Sequence, residues 1–275
     1  MALVMSGKEE HRERLEQLLT GHIERLETEW LKEHLASRSD LPGPRGNIEL
    51  AAAFADLAAE LSAERGEEMW SLAVALSGVT AEEAPVNDPR EIIAFTGAVA
   101  VGSIGAARSD RSADAFLRLR EMSRDPRWRT REGVAMGLQR LLAADMAAGL
   151  AELGKWISGE DWLAMRAVAA GVAEPPLLID QRAALGALDL HKRIIDRVLA
   201  SGDRTSESFR TLRKGLGYSF SVVVGACPED GFVYLEELAA TSDKDVRWIV
   251  RENLKKKRLA GRFPREVERV LALMA

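Results

Sequence analysis

A pattern of an acid, a tryptophan and an arginine occurs twice within residues 123–172. In each copy the acid lies at a turn, and the arginine opens a helix rich in small residues. The residues are Asp125, Trp128 and Arg131 in the first copy, and Asp161, Trp162 and Arg166 in the second. Side chains of these types can contact an anionic partner, or they can hold neighbouring helices together through ion pairs and aromatic packing.

The C-terminal part of the sequence carries most of the positive charge. Residues 1–110 contain 10 Lys and Arg against 20 Asp and Glu, whereas residues 111–275 contain 28 against 23. The densest basic segment, 245–269, has nine basic and four acidic residues. This asymmetry favours a polyanionic partner at the basic end, with a solvated helix face as the alternative.

The sequence lacks several motifs of nucleotide-binding and hydrolytic enzymes. It contains no glycine-rich phosphate loop, no Gly-x-Ser-x-Gly and no His-Glu-x-x-His, and its four histidines are scattered. We therefore expect surface or packing histidines, no metal site and no cofactor. The one cysteine, Cys227, excludes a disulfide framework and is expected to be an idle thiol in a reducing cytoplasm. We expect neither a signal peptide nor a membrane span, because no apolar run is long enough.

Composition and periodicity predict an all-α protein. Aromatic residues make up only 5% of the chain and Ala and Leu are abundant, which favours helix over sheet. Single helices are predicted at 8–36, 48–62, 67–76, 90–104 and 264–274. Helix pairs are predicted at 112–122 with 127–143, 146–157 with 161–172, 182–200 with 206–224, and 230–240 with 245–258. We expect one domain over 1–275, in which acidic capping helices (1–88) precede the repeats (89–275).

The second helices of the pairs align on one arginine each. These arginines are Arg131, Arg166, Arg213 and Arg251, separated by 35, 47 and 38 residues. A period near 40 with two helices per unit predicts a helical solenoid. The Asp-x5-Arg spacing at 125–131 and 245–251 resembles the HEAT-repeat consensus. That resemblance implies an acid cap on each second helix, an Asp–Arg ladder between repeats, and a right-handed superhelix of five to six helix pairs.

Three segments resemble the AlkD-type DNA glycosylases, which have a HEAT-like fold. WISGEDWLAMRAV (156–168) is similar to the family segment in which Trp-Ile precedes a loop and then Trp-Leu-x-x-Arg-x-Ala. PRWRTRE (126–132) resembles the family's Trp-x-x-x-Asp segment, and KGLGYSFSVVVGACPEDGFVYL (214–235) resembles its next repeat more loosely. The resemblance extends over roughly 90–258. It implies an enzyme that excises cationic, alkylated purines from duplex DNA.

The resemblance also implies roles for individual residues. Trp128 matches an aromatic that contacts the backbone of the damaged nucleotide, and Arg166 matches the family's site arginine. Glu132 stands where the family has Asp, and Tyr218 where it has a second Trp. A carboxylate and aromatic faces would stabilise an oxocarbenium-like sugar in the transition state. The basic residues expected to contact the nucleic-acid backbone are Arg129, Arg213, Lys214, Arg251 and Lys255.

A protein-interaction scaffold is the alternative function, because α-solenoids commonly bind other proteins. Under this reading the aligned arginines form structural ion pairs, and Trp162 and Trp248 fill the core between repeats. Trp128 is expected to face solvent, because Arg127 and Arg129 flank it. The charge of the face that carries Trp128 and Arg166 would distinguish a nucleic-acid partner from a protein partner.

Overall fold

The computed structural model describes residues 7–25 and 28–274, which form α-helices, one 3-10 helix and connecting turns, with no β-strand. Contacts between helices divide the chain into two compact units, unit 1 (Met1–Ala144) and unit 2 (Asp145–Ala275). The predicted single domain, with capping helices up to residue 88 and repeats from residue 89, stays a prediction. Within unit 1, helices on both sides of residue 88 pack against one another.

Unit 1 is built around one buried helix. Its helices are α1 (Gly7–Arg25), α2 (Glu29–Ser37), α3 (Ile48–Leu61), α4 (Gly66–Ser77), α5 (Glu91–Ala107), α6 (Ser109–Met122) and α7 (Trp128–Ala144). Every residue of α5 from Glu91 to Gly105 is buried, because α3, α4, α6 and α7 all pack against it. The small residues of α5 let these neighbours approach closely.

Helices α5 and α7 approach each other closely in unit 1. A Cβ atom on Gly102 would lie 2.2 Å from the carbonyl oxygen of Gly137, and one on Gly133 would lie 2.8 Å from that of Phe95. Positions further along α5 therefore meet positions further along α7, so the two helices run parallel. This arrangement is the expected one for second helices of successive helix pairs.

Unit 2 is also built from packed helices, of which α10 and α11 are the longest with 20 residues each. Its elements are α8 (Met146–Trp156), α9 (Trp162–Val172), a 3-10 helix (Pro175–Leu178), α10 (Gln181–Ala200), α11 (Glu207–Ala226), α12 (Pro228–Ala239), α13 (Lys244–Leu254), α14 (Lys257–Ala260) and α15 (Pro264–Ala272). Helix α11 packs against both α9 and α13. The ring centroids of Trp162 and Phe209 are 5.5 Å apart, in an edge-to-face contact that joins the buried starts of α9 and α11.

The predicted all-α, helical-repeat class is confirmed by these paired and stacked helices. Two predicted helices are each divided. The predicted helix 8–36 consists of α1 and α2, with residues 26–27 between them outside the described residues. The predicted helix 245–258 ends at Leu254, because the extended backbone at Lys256 redirects the chain into α14 and brings Leu259 into the core.

The predicted acid caps are correct for one second helix of unit 2. Asp161 caps α9 by accepting a hydrogen bond from the Ala164 N–H at 3.1 Å. Ser206 caps α11 and Asp243 caps α13. The implied acid cap on each second helix would fall on Glu207, six residues before Arg213, and on Asp245, so this implication is wrong for both helices. The reason is position, since both acids lie inside the first helical turn, where their backbones are already helical. None of the described helices has the length and apolarity needed to cross a membrane.

Candidate functional site

Trp128 opens α7 and lies at the surface of unit 1. Its side chain is 42% exposed, in agreement with the expectation that it faces solvent. The guanidinium carbon of Arg129 lies 4.3 Å from the centre of the Trp128 ring. One face of the ring is therefore occupied by a cation of its own helix.

Arg129, a predicted nucleic-acid contact, is only 5% exposed. Its Nη1 lies 3.1 Å from Oε2 of Glu91, and its Nη2 donates to the carbonyl oxygen of Gly43. Glu91 itself is fully buried and also accepts a hydrogen bond from the Asn87 N–H. In this structure the charge of Arg129 is therefore balanced inside unit 1 rather than presented to a phosphate.

Arg127 is a structural residue that the sequence does not reveal. Its side chain is 1% exposed and donates to the carbonyl oxygens of Val79, Thr80 and Ala84 at 2.7–3.1 Å. Asp125 accepts from the same guanidinium at 2.6 and 2.9 Å. Arg127 thus ties the connection between α4 and α5 to the start of α7. Arg127 and Arg129, which flank Trp128 in the sequence, are both buried. Trp128 is therefore exposed as predicted, but not because its flanking arginines lie in solvent.

Glu132 and Arg131 lie in the first turns of α7. Glu132 follows Trp128 by one helical turn and is half-buried, so the two side chains share one side of the helix. Arg131 donates to the backbone oxygens of Asp125 and Pro126 at 2.6 and 3.0 Å. These bonds fasten the turn before α7.

In unit 2, the seam between α11 and α13 contains the predicted ladder contact. Arg213 Nε lies 3.1 Å from Oδ1 of Asp245, and its guanidinium carbon lies 4.1 Å from the centre of the Trp248 ring. Trp248 is half-buried and fills the notch over Gly217, where an added Cβ would lie 3.0 Å from the ring. Arg213, also a predicted nucleic-acid contact, is thus held within the seam, as the structural alternative expects.

A buried asparagine fixes the same seam. The Asn253 amide accepts from the Ser221 N–H at 2.7 Å and donates to the carbonyl oxygens of Leu216 and Ile249 at 2.8 Å. Asn253 is fully buried, and its side-chain amide forms hydrogen bonds with all three of these backbone groups. The side chain therefore sets how α13 lies along α11. The sequence pattern does not single out this residue, because its only mark is one amide side chain on an apolar helix face.

Arg166 and Lys214 lie beside this seam. A Cβ atom on Gly215 would contact Cγ of half-buried Arg166 at 3.4 Å, so the arginine of α9 lies over α11 at a residue without a side chain. Lys214 precedes that glycine and is exposed. Unit 2 therefore brings two of the predicted site residues to adjacent positions.

Tyr218 lies one turn after Lys214 and is 51% exposed. Its hydroxyl accepts a hydrogen bond from Nη2 of Arg258 at 2.8 Å. The guanidinium carbon of Arg258 and Nζ of Lys256 lie 5.0 and 5.8 Å from the ring centre. The break between α13 and α14 places both cations against Tyr218. Neither was a predicted site residue, although both belong to the basic segment 245–269.

We call these residues and their cationic neighbours the basic surface of unit 2. Its members are Lys214, Tyr218, Arg251, Lys255, Lys256, Lys257 and Arg258. Lys255 forms an ion pair with Glu252 at 2.5 Å. The other five cations have no carboxylate within ion-pair distance among the described residues. Positive charge on this surface is therefore incompletely balanced by the protein itself.

The predicted catalytic residues are divided evenly between the units. Trp128 and Glu132 lie on α7 of unit 1, whereas Arg166 and Tyr218 lie on or against α11 of unit 2. The remaining predicted nucleic-acid contacts, Arg251 and Lys255, are exposed at α13 and its C-terminal end.

Two reactive side chains are buried in unit 2. His191 bonds to the carbonyl oxygen of Ala187 and to Oγ of Ser219, both at 2.9 Å, and desolvation lowers its pKa to about 4. Burial raises the pKa of the Cys227 thiol to about 11. At neutral pH both groups are therefore uncharged, as expected for a packing histidine and an idle thiol.

No protein-family model matches the chain, and no curated protein is similar to it. Among solved structures, it is similar to an engineered protein, Northeast Structural Genomics Consortium target OR329. The identity is 16%, 86% of this chain and 97% of that chain are covered, and the TM-score is 0.32. The designed armadillo repeat protein YIII(Dq)4CqI gives 13% identity, coverage of 81% and 98%, and a TM-score of 0.29.

TM-scores this low do not establish a shared fold. The helical-repeat class therefore rests on the helix contacts within each unit. The resemblance to the AlkD-type glycosylases stays a prediction.

Proposed function

We propose that the protein is a non-catalytic helical-repeat scaffold that binds a partner through the basic surface of unit 2. The observation that carries this proposal is an exposed Tyr218 among cations that lack carboxylate partners. These side chains stand on α11, α13, α14 and the turn between the last two helices. Trp248 and Asn253 fix the positions of α11 and α13 relative to each other. A surface held in place by packing loses little conformational entropy on binding.

The state of the reactive side chains supports a binding role. The imidazole of His191 and the thiol of Cys227 are committed to core packing and hydrogen bonds in unit 2. Both are buried, so neither is presented to a substrate at the surface of the unit. The exposed groups of the same unit are those that recognise a partner, namely a tyrosine and several cations.

Affinity purification with the full chain as bait tests this proposal. The Lys256→Gln/Arg258→Gln variant removes two cations from the basic surface. The Lys155→Gln/Arg182→Gln variant removes two exposed cations from α8 and α10, so the two variants have the same net charge. We expect a partner retained by wild type and by the control variant to be lost from the first variant. That partner, once purified, must bind the three proteins with the same order of affinity. Equal binding to all three would show that the basic surface is not the contact.

An AlkD-like nucleic-acid enzyme is the second candidate. The observation that favours it is the grouping of Arg166, Lys214 and Tyr218 on or against α11 within unit 2. A guanidinium and a lysine could bind phosphates, while the tyrosine offers an aromatic face. The carboxylate that would stabilise the sugar cation as an alkylated base leaves is assigned to Glu132 by the family resemblance alone.

Release of methylated purine from alkylated duplex DNA tests this second function. The full chain would be compared with Glu132→Gln and Arg166→Gln, each first checked for unchanged thermal unfolding. Release by wild type that is lost in both variants would establish an enzyme and overturn the scaffold proposal. The scaffold proposal expects no release by any of the three proteins.

A further inference from the structure

The basic surface is cationic but not continuously so. Glu252 lies within the surface, pairs with Lys255, and has its Cβ beside the backbone of α11 at Gly217. Asp245 lies two helical turns earlier on α13, is buried, and pairs with Arg213. A nucleic-acid strand carries a charge on every nucleotide and is best followed by an unbroken row of cations. The carboxylate of Glu252 interrupts such a row.

An extended peptide suits this pattern of charges better than a nucleic-acid strand. Successive side chains of an extended chain point to opposite sides, so its carboxylates can meet cations at spaced positions. The peptide residues between these carboxylates can be uncharged, which suits the places where the surface is acidic. The exposed ring of Tyr218 offers such uncharged residues an apolar contact.

Arg258 has the geometry to bind a carboxylate. Its Nη2 is held by the Tyr218 hydroxyl at 2.8 Å, which restrains the planar guanidinium before any partner arrives. The remaining N–H donors lie in the same plane and match the two oxygens of a carboxylate. Lys256 lies on the same ring at 5.8 Å and adds a second cation within reach.

We infer that the basic surface of unit 2 recognises an extended, carboxylate-rich segment of a partner protein. The inference rests on the proposed scaffold function and adds the chemical class of the partner. Arg258 is the central anchor, Lys256 and Lys214 supply further ion pairs, and Tyr218 both positions Arg258 and contacts the peptide between its acids. The charge of the bound segment is complementary to the cations that the protein leaves unpaired.

Fluorescence anisotropy with labelled peptides tests this inference on the full-length protein. The probe is a fluorescein-labelled peptide of alternating glutamate and serine, and its control has glutamine in place of each glutamate. We expect the glutamate peptide to bind, to weaken as salt is added, and to bind the Lys256→Gln/Arg258→Gln variant roughly tenfold more weakly. The charge-matched Lys155→Gln/Arg182→Gln variant should bind as wild type does. Arg258→Lys keeps the charge but loses the planar fork, so its affinity should lie between the two.

Three outcomes would overturn the inference. They are equal binding of the glutamate and glutamine peptides, no binding of either, or wild-type affinity in the Lys256→Gln/Arg258→Gln variant. Labelled oligothymidylate and duplex DNA form a parallel series at the same salt concentrations. Tighter binding of either, lost in the same variant, would assign the surface to nucleic acid and reject the peptide. Release of base from alkylated duplex DNA would reject the scaffold function. Failure of the glutamate peptide to bind, without such release, would reject only the carboxylate-rich partner.

Discussion

The two units each contain an arginine that stacks on a tryptophan and pairs with an acid of a neighbouring helix. In unit 1, Arg129 lies 4.3 Å from the Trp128 ring centre and 3.1 Å from Glu91. In unit 2, Arg213 lies 4.1 Å from the Trp248 ring centre and 3.1 Å from Asp245. The distances are nearly the same, but the surroundings are not.

Burial separates the two clusters. The side chains of Arg129 and Glu91 are 6% and 0% exposed, whereas those of Arg213 and Asp245 are 29% and 10% exposed. Water can take over part of the solvation of Arg213 when its acid is lost, but it cannot reach Arg129 to the same extent. Similar contact distances therefore predict different energetic consequences. The cluster in unit 1 should be the more costly to break and the less sensitive to salt.

Breaking the buried pair is the largest effect we expect. Glu91→Gln keeps the shape of the side chain but leaves the Arg129 guanidinium buried without its counter-charge. We expect a loss of about 3–5 kcal/mol in the free energy of unfolding. Urea unfolding of the full chain, followed by circular dichroism, would measure it.

The double variant Glu91→Gln/Arg129→Met supplies the control for this loss. Removing both charges should restore part of the stability, because no unpaired charge remains in the core. A single variant that loses less than about 1 kcal/mol would contradict the assigned burial penalty.

Acid should weaken unit 2 through a group that has no counterpart in the unit 1 cluster. The folded-state pKa of His191 is about 4, below its ordinary value of 6.5. Between these values the unfolded state binds more protons, so stability is full above pH 6.5 and falls as the pH decreases. The loss approaches about 3 kcal/mol near pH 4 and then levels off.

Comparison with His191→Gln isolates this contribution to the pH dependence. Glutamine can still hydrogen-bond but cannot titrate, so its unfolding free energy should vary less between pH 6.5 and 5. The same slope in both proteins would mean that other groups cause the acid sensitivity. His34, whose pKa is also lowered by burial, is the first of these to examine.

Breaking the partly exposed pair of Arg213 and Asp245 should have a smaller effect. Asp245→Asn removes the carboxylate that faces Arg213 at 3.1 Å and Arg204 at 3.6 Å. Since solvent reaches Arg213 and Trp248 still covers it, we expect a loss of about 1 kcal/mol.

A salt series distinguishes the two ion pairs directly. The deficit of Asp245→Asn should shrink as sodium chloride is added, while that of Glu91→Gln should persist. Glu236→Gln, which breaks the exposed pair with Arg269, is the matched surface control and should cost less than either. Equal salt dependence in Asp245→Asn and Glu91→Gln would show that burial does not distinguish the two ion pairs.

The helical repeat could be predicted from the sequence because its signals are local. Apolar spacing, glycines and turn residues place most helices within a few positions of their observed bounds. The exception near Lys256 has a non-local cause, since the helix breaks where Leu259 turns into the core formed with α11. A run of consecutive cations gave no sign of that break.

The burial of Arg127 and Arg129 could not be predicted in the same way. Their partners, Glu91, Gly43 and the carbonyls of residues 79–84, lie 38 to 86 residues away in the sequence. Two arginines beside a tryptophan ordinarily indicate a solvated surface, and only the fold supplies the acceptors that draw them inward. The contact of Arg258 with Tyr218 spans 40 residues and was missed for the same reason.

The smallest effect expected is that of Trp128→Phe. The ring is 42% exposed, and Arg129 keeps its bonds to Glu91 and Gly43 when the aromatic face becomes smaller. Phenylalanine preserves a weaker cation–π contact, so the change in unfolding free energy should stay below about 0.5 kcal/mol. The midpoint of thermal unfolding should accordingly move by less than about 2 °C. Binding of the glutamate peptide should not change, because Trp128 is not part of the basic surface. A loss above about 1 kcal/mol would instead make the ring a structural member of the unit 1 cluster, equivalent to Trp248 in the seam of unit 2.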